Sequence, residues 1–138
     1  MDIGLSHITF IVEDLDRTAA FLTKVFGAKE IYSSGDQTFS IAQEKFFLIN
    51  DLWICIMEGD PVPERSYTHI AFQIQEDEMD DYISRLKEAG AEIKQGRSRV
   101  KGEGRSIYFY DFDNHLFELN TGNLTERLNS YSRKSISD

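Results

Sequence analysis

A single cysteine and two prolines are all that the 138-residue chain holds of either residue. The lone Cys55 excludes an internal disulfide. Its setting, Leu52-Trp53-Ile54-Cys55-Ile56-Met57, reads as that of a buried, inert thiol. Long apolar runs are also missing. None approaches the roughly 20 residues of a membrane span, so no membrane partner is expected. Met1-Asp2-Ile3-Gly4 shows no basic region followed by an apolar one, so no secretory signal is expected and the cytoplasm is the expected compartment. Positive charge is scarce: 15 Lys and Arg against 24 Asp and Glu leave a net charge of −9. A nucleic-acid surface needs a basic footprint, which excludes that partner class. An acidic protein also repels small anions at long range, so an anionic ligand needs a locally basic pocket.

What remains is an ordinary globular composition, 41% apolar and 28% charged. A chain of this length buries roughly 68–70% of its unfolded surface, enough for a real core. Two stretches organise it, His7-Ile8-Thr9-Phe10-Ile11-Val12 and His69-Ile70-Ala71-Phe72-Gln73-Ile74. Both open on His, both alternate like half-buried strands, and the second starts 62 residues after the first. That is the signature of a duplicated module.

The order of elements supports the duplication. A strand over 5–12 precedes Asp14 as N-cap and the apolar helical positions Leu15, Ala19, Leu22 and Phe26, closed by Gly27. Strands follow at about 29–33, 37–49 with an irregular middle, and 52–58. Both prolines lie in Asp60-Pro61-Val62-Pro63-Glu64-Arg65, a linker. A strand over 68–75 then leads to a helix capped by Asp77, with Met79, Ile83 and Leu86 inward and Gly90 at its end. Ala91-Glu92-Ile93 echoes Ala28 to Ile31. A polar loop covers about 95–105, Ser106 to Phe112 is a strand, Asp113-Asn114 a turn, and Leu116 to Asn120 the last strand. Residues 123–130 read as weakly helical and the polar end as frayed. The expected organisation is α+β: a first βαβββ module over 1–59, a linker over 60–67, a second module over 68–122, and a short helix and tail over 123–138. Each module leaves one sheet face uncovered, so two must pair, within a chain or by exchange between chains.

Alternation puts His7, Thr9 and Ile11 on one face and His69, Ala71 and Gln73 on its equivalent. One His at a strand start is more often structural than a ligand. Two at repeat-equivalent positions point to a metal. Glu118, between Phe117 and Leu119, is the candidate third ligand, because a carboxylate among apolar residues is costly unless paired or metal-bound. Aligning Asn50 with Asn114 makes Ile54 the mirror position, which leaves an open coordination site, a catalytic rather than structural arrangement. These donors suit Mn, Fe, Zn or Co. His115, in a turn, reads as solvated. Lys94, Arg97, Arg99, Lys101 and Arg105, interleaved with Gly96, Gly102 and Gly104, read either as a solvated loop or as a cradle for phosphate or phosphonate. Ser106, Tyr108 and Arg127 can join such a pocket.

The repeated module with His7, His69 and Glu118 resembles the vicinal oxygen chelate superfamily (glyoxalase, bleomycin resistance and dioxygenase proteins). Leu52-Trp53-Ile54-Cys55, Tyr67-Thr68-His69-Ile70-Ala71-Phe72 and Gly104-Arg105-Ser106-Ile107-Tyr108-Phe109-Tyr110-Asp111 resemble its fosfomycin resistance proteins, above all the FosX-type epoxide hydrolases. The likeness runs from about residue 3 to 130. It implies a curled sheet around Mn(II) held by His7, His69 and Glu118. It implies Glu44 as general base for water attacking the oxirane; read alone, Glu44 is a surface-type glutamate before an apolar strand. Thr9, Tyr67, Arg97, Ser106, Tyr108 and Arg127 match positions that hold the phosphonate. The thiol-transferase branches carry a lysine where Ser98 aligns, and the glutathione-using branch binds K⁺ through a serine-bearing loop, one position of which Gly102 occupies here.

The expected activity is hydrolysis of the fosfomycin epoxide, by a homodimer with exchanged modules and sites at the interface. The alternatives are a thiol transferase using glutathione or another thiol, a glyoxalase-like isomerase, and a non-catalytic drug-binding protein.

Overall fold

The computed structural model describes residues 2–94 and 101–137. Its elements in chain order are strand β1 (His7–Val12), helix α1 (Leu15–Phe26), strands β2 (Lys29–Ser33), β3 (Glu44–Ile49), β4 (Leu52–Glu58) and β5 (His69–Gln73), helix α2 (Met79–Glu88), strands β6 (Glu92–Lys94), β7 (Ser106–Tyr110) and β8 (Leu116–Asn120), and helix α3 (Leu124–Ser137). Two four-stranded sheets share one topology: β1-β4-β3-β2 and β5-β8-β7-β6. In each, the first strand runs parallel to the last, while the hairpin partners are antiparallel. This is the duplicated βαβββ order expected from the sequence.

Local chemistry explains the first module's start. Asp14 is extended at φ −131° and accepts the Arg17 amide at 3.0 Å, an N-cap. Gly27, at φ 64°, takes the left-handed turn that closes α1, and its amide reaches the Leu22 and Thr23 carbonyls. The buried stripe of α1 is Thr18, Phe21, Leu22 and Val25, with Leu15, Ala19 and Phe26 on its flank. In the second module a 3-10 turn, Glu76–Glu78, precedes α2, and a capping box of Gln75 and Glu78 opens it in place of the expected Asp77 cap.

Even-numbered residues of β1, β4 and β5, with odd-numbered residues of β3, β7 and β8, point into a single core. Phe10 meets Phe117 at 5.4 Å between ring centroids, Phe26 meets Phe72 at 4.9 Å, and Phe21 meets Phe109 at 6.2 Å. Each buried Phe contributes about 1.5–3 kcal/mol by leaving water. The two modules are therefore joined back to back by aromatic packing, and the opposite face of each sheet is left open. A polar latch at the β7–β8 turn reinforces the joint. Asp113 accepts the Glu13 amide at 2.9 Å, and Asn114, at φ 68°, donates to the Val62 carbonyl at 2.8 Å.

Several expectations are corrected. The irregular middle of 37–49 is a loop, and β3 starts only at Glu44. His115 is not solvated: Asp111 binds its Nδ1 at 2.7 Å, and its ring packs edge-on against Phe10. The C-terminal segment is one helix of 14 residues rather than a short helix and frayed tail. Asn123 caps it by accepting the Glu126 amide at 2.9 Å, and Tyr131 and the buried Ser130 tie its middle to the loop before β7.

Candidate metal centre

The open face of the second sheet carries the site. Strands β5 and β8 pair with Ala71 opposite Glu118, and β7 lies on the other side with Tyr108 opposite Glu118 and Ser106 opposite Asn120. His69, Glu118, Asn120, Ser106 and Tyr108 thus meet on one patch.

Glu118 is 3% exposed, so its charge requires compensation. Its Oε2 accepts from Ser106 Oγ at 2.5 Å and from Asn120 Nδ2 at 2.9 Å. Its Oε1 faces His69 Nε2 at 3.0 Å. On the far side of the ring, His69 Nδ1 lies 2.6 Å from the Tyr67 carbonyl oxygen. A carbonyl only accepts, so Nδ1 carries a proton and Nε2 is the ring atom turned to Glu118. Two lone pairs that converge at 3.0 Å need a positive charge between them. A proton or a metal ion answers that need. A His held through Nδ1–H by a carbonyl, beside an oriented carboxylate, is the surrounding that metal ligands share. The residues present therefore fit a divalent cation.

Tyr108 is 4% exposed, and its hydroxyl is 2.7 Å from that of Tyr67. Burial pushes its phenol well above the usual tyrosine range, and the Tyr67 hydrogen bond and Glu118 charge add to this. It stays a neutral hydrogen-bonding hydroxyl. A cavity of about 410 Å³ opens over the patch, lined by His69, Gln73, Glu118, Asn120, Leu124 and Arg127. A hollow of about 490 Å³ at the start of α1 is larger, but acidic groups such as Glu13, Asp14, Asp16 and Asp36 dominate its rim and no histidine joins them.

His7, Thr9 and Glu44 lie on the other sheet. His7 is exposed, packs tilted against Trp53 at 4.1 Å between ring centroids, and has Nδ1 3.0 Å from Ser6 Oγ. Thr9 sits opposite Cys55 and hydrogen-bonds with its thiol. Burial is the main reason that this thiol titrates above its ordinary value, with the Thr9 bond opposing and the Glu44 charge adding. Glu44 is not a surface residue: it is 8% exposed, and its amide and carbonyl are both held by Ser34 at 3.0 Å. Among the described residues of one chain, no three His, Cys, Asp or Glu side chains come together as a metal-holding group. The structure brings His69 to Glu118 but does not bring His7 to them.

The register also corrects the mirror position. His7 is opposite Trp53 and His69 is opposite Leu116, so Thr9–Cys55 corresponds to Ala71–Glu118. Cys55, not Ile54, is the counterpart of Glu118, and Ile54 points into the core at 1% exposure. By the same register Glu44, opposite Met57, is the counterpart of Ser106, opposite Asn120.

Of the basic stretch, Lys94 pairs with Glu92 at 2.9 Å and Arg105 with Glu76 at 3.1 Å. Arg97 and Arg99 lie outside the described residues. Arg127, on α3, is the arginine that lines the cavity among the described residues. Asn120 was missed in the sequence, although two residues after Glu118 on the same strand it had to share that face. Glu103, 1% exposed in the loop before β7, carried no sequence signal.

The Glyoxalase/Bleomycin resistance protein/Dioxygenase superfamily model matches residues 4–119. The chain is 67% identical over 130 residues to the fosfomycin resistance protein FosX of Listeria innocua, covering 94% of this chain and 98% of that protein. It is 56% identical over 125 residues to FosX of Mesorhizobium japonicum, covering 91% and 90%. A crystal structure of a FosX point mutant from Listeria monocytogenes, complexed with Mn(II) and 1S,2S-dihydroxypropylphosphonic acid, superposes with a TM-score of 0.86 at 62% identity, covering 95% of this chain and 99% of that one.

Proposed function

The chain belongs to the Glyoxalase/Bleomycin resistance protein/Dioxygenase superfamily and, within it, to the FosX-type fosfomycin resistance proteins; from that premise we propose a centre, built by two copies of the chain, that opens the fosfomycin epoxide with water. The reaction is hydrolysis: one water adds across the oxirane, one C–O bond breaks, and a dihydroxypropylphosphonate remains. The metal is Mn(II). The observation that carries the reading is the convergence of His69 and Glu118 lone pairs beside a cavity that an arginine lines.

His69 and Glu118 are two of the ligands, and His7 is the third. Mn(II), when bound, supplies Lewis acidity for charge that develops on the epoxide oxygen. Ser106 and Asn120 hold the Glu118 carboxylate in one orientation. The hydroxyls of Tyr67 and Tyr108, with Thr9, Arg97 and Arg127, take the phosphonate and fix the carbon to be attacked. Ser106 contributes mainly through Glu118, to which its hydroxyl already donates. Glu44 accepts a proton from the attacking water.

The open faces support a shared site. His7, Thr9 and Glu44 stand on one sheet and His69, Glu118 and Tyr108 on the other, and the two sheets are fastened back to back. Pairing the first sheet of one copy with the second sheet of another unites the two sets. Exposed Ile3, Leu5, Phe39, Ile41, Leu124 and Leu128 offer apolar surface for such a contact. Co-expressed His7→Ala and Glu118→Ala chains test it. Each alone is inactive, but a mixed dimer has one doubly damaged site and one intact site; with random pairing half of the dimers are mixed, so about a quarter of wild-type activity returns to the mixture and about half to the purified mixed dimer. No recovered activity in a verified mixed dimer rules out sharing.

We place the protein in the cytoplasm, where a lone reduced thiol such as Cys55 persists. Among the described residues no helix is long and apolar enough to cross a membrane. Phosphorus NMR of fosfomycin with enzyme and Mn(II) tests the reaction. A diol resonance appears without any thiol. An adduct that forms only when glutathione or another thiol is added would replace hydrolysis by thiol transfer.

A further inference from the structure

Glu103 is a carboxylate with 1% exposure in a loop that otherwise faces water. Burying a charge there is unfavourable unless partners compensate it. Two partners come from α3: the Tyr131 hydroxyl donates to Oε1 at 2.7 Å, and Arg127 Nε lies 3.5 Å from the same oxygen. Arg127 is also the arginine of the site cavity. The Glu103 backbone is pressed against the strand that carries Glu118. A Cβ on Gly122 would lie 2.5 Å from the Glu103 carbonyl oxygen, and one on Gly104, at φ 95°, 2.9 Å from the Gly122 amide nitrogen. Arg105 and Thr121 lock the same crossing, with the Thr121 amide donating to the Arg105 carbonyl at 3.0 Å and the Arg105 amide to Thr121 Oγ1 at 2.9 Å. Gly122 in turn donates to Asn120, which holds Glu118. Three parts of the site, the loop before β7, the end of β8 and the first half of α3, therefore meet at Glu103, the strand end at its backbone and the helix at its carboxylate.

We infer that Glu103 is a positioning residue: it fixes the guanidinium of Arg127 over the cavity for the phosphonate and does not touch the substrate itself. The inference rests on the reading of Arg127 as a phosphonate contact. The geometry favours this over a purely structural role. A carboxylate needed only to close the loop would be satisfied by Tyr131 and backbone amides, whereas Glu103 also engages the one arginine of the cavity among the described residues. A guanidinium without its buried counter-charge keeps its own charge but loses its fixed direction, and bidentate recognition of a phosphonate depends on direction.

Kinetics of holoenzyme Glu103→Gln, Arg127→Ala and the double variant test this, together with inhibition by inorganic phosphate as a phosphonate probe and Mn(II) affinity. Glu103→Gln raises KM and the phosphate inhibition constant in parallel by about tenfold, leaves Mn(II) affinity within about threefold, and changes kcat less than KM. Arg127→Ala weakens both constants at least as much, and the double variant is no worse than Arg127→Ala alone. Glu103→Asp recovers part of the loss. If Glu103→Gln folds poorly, Tyr131→Phe removes one hydrogen bond to the carboxylate and shifts both constants by about threefold in the same direction. Should Arg127→Ala weaken phosphate while neither Glu103→Gln nor Tyr131→Phe does so, the positioning role is wrong. Should Arg127→Ala leave phosphate inhibition unchanged, the phosphonate reading of Arg127 fails, and the inference with it.

Discussion

Replacing Glu118 by glutamine lowers fosfomycin hydrolysis by at least about a thousandfold, because the several kcal/mol of Lewis-acid stabilisation are lost with the metal. Glutamine keeps the volume of the side chain and an oxygen for Ser106 and Asn120, so the surrounding bonds to Glu118 are largely conserved. What changes is the charge opposite His69 Nε2, where a neutral amide replaces the anion. Two measurements separate loss of metal from loss of fold. Titration followed by electron paramagnetic resonance shows Mn(II) binding tightly to the wild type and weakly to the variant. Thermal unfolding shows the wild type gaining about 2.7 kcal/mol at a hundredfold excess of Mn(II) over Kd, and the variant gaining almost nothing. A variant that still binds Mn(II) like the wild type would remove Glu118 from the ligand set.

Replacing Glu44 by glutamine cuts kcat/KM by about 10²–10⁴-fold, the usual worth of a general base, while Mn(II) affinity moves less than about threefold. Glu44 occupies the register position of Ser106 in the repeated module, on the open face of the first sheet beside Cys55. Its backbone is clamped by Ser34 and its side chain is buried, so it is held where a second copy would cover it. Phosphorus NMR rates at saturating Mn(II) give the comparison. Unchanged turnover in a metal-loaded variant would assign proton transfer to another group.

These two residues illustrate what is legible in a strand and what is not. Glu118 stood out because a carboxylate between Phe117 and Leu119 needs a reason to be buried, and the structure sets His69, Ser106 and Asn120 against it. Glu44 did not stand out. It opens a strand after a polar loop, where an exposed glutamate is ordinary, and its burial comes from neighbours distant in sequence. His115 was misread for a similar reason: a turn histidine is usually solvated, but this turn folds over Phe10 of the other module. α3 was underestimated because its polar sequence has little intrinsic drive. Its length rests on the Asn123 cap and on the tertiary anchor at Glu103.

The sequence by itself determined the two His-led strands, their alternation and the repeated βαβββ order, because a period of two residues tells which side chains share a face. It also named Glu118, since desolvation of a charge is a local and large effect. Only the tertiary structure decided which faces meet. Aligning the two modules on their turn asparagines pointed to Ile54 as the empty mirror position. The first turn holds two residues, Asn50 and Asp51, whereas the second spans 111–115, so the β-ladder and not the turn sets the correspondence with Cys55. Back-to-back packing of the Phe-rich faces then turns the His7 sheet away from the His69 sheet. Periodicity carries no information about register between strands or about which sheet covers which. Turn lengths and the shapes of Phe10, Phe26, Phe72 and Phe117 settle both.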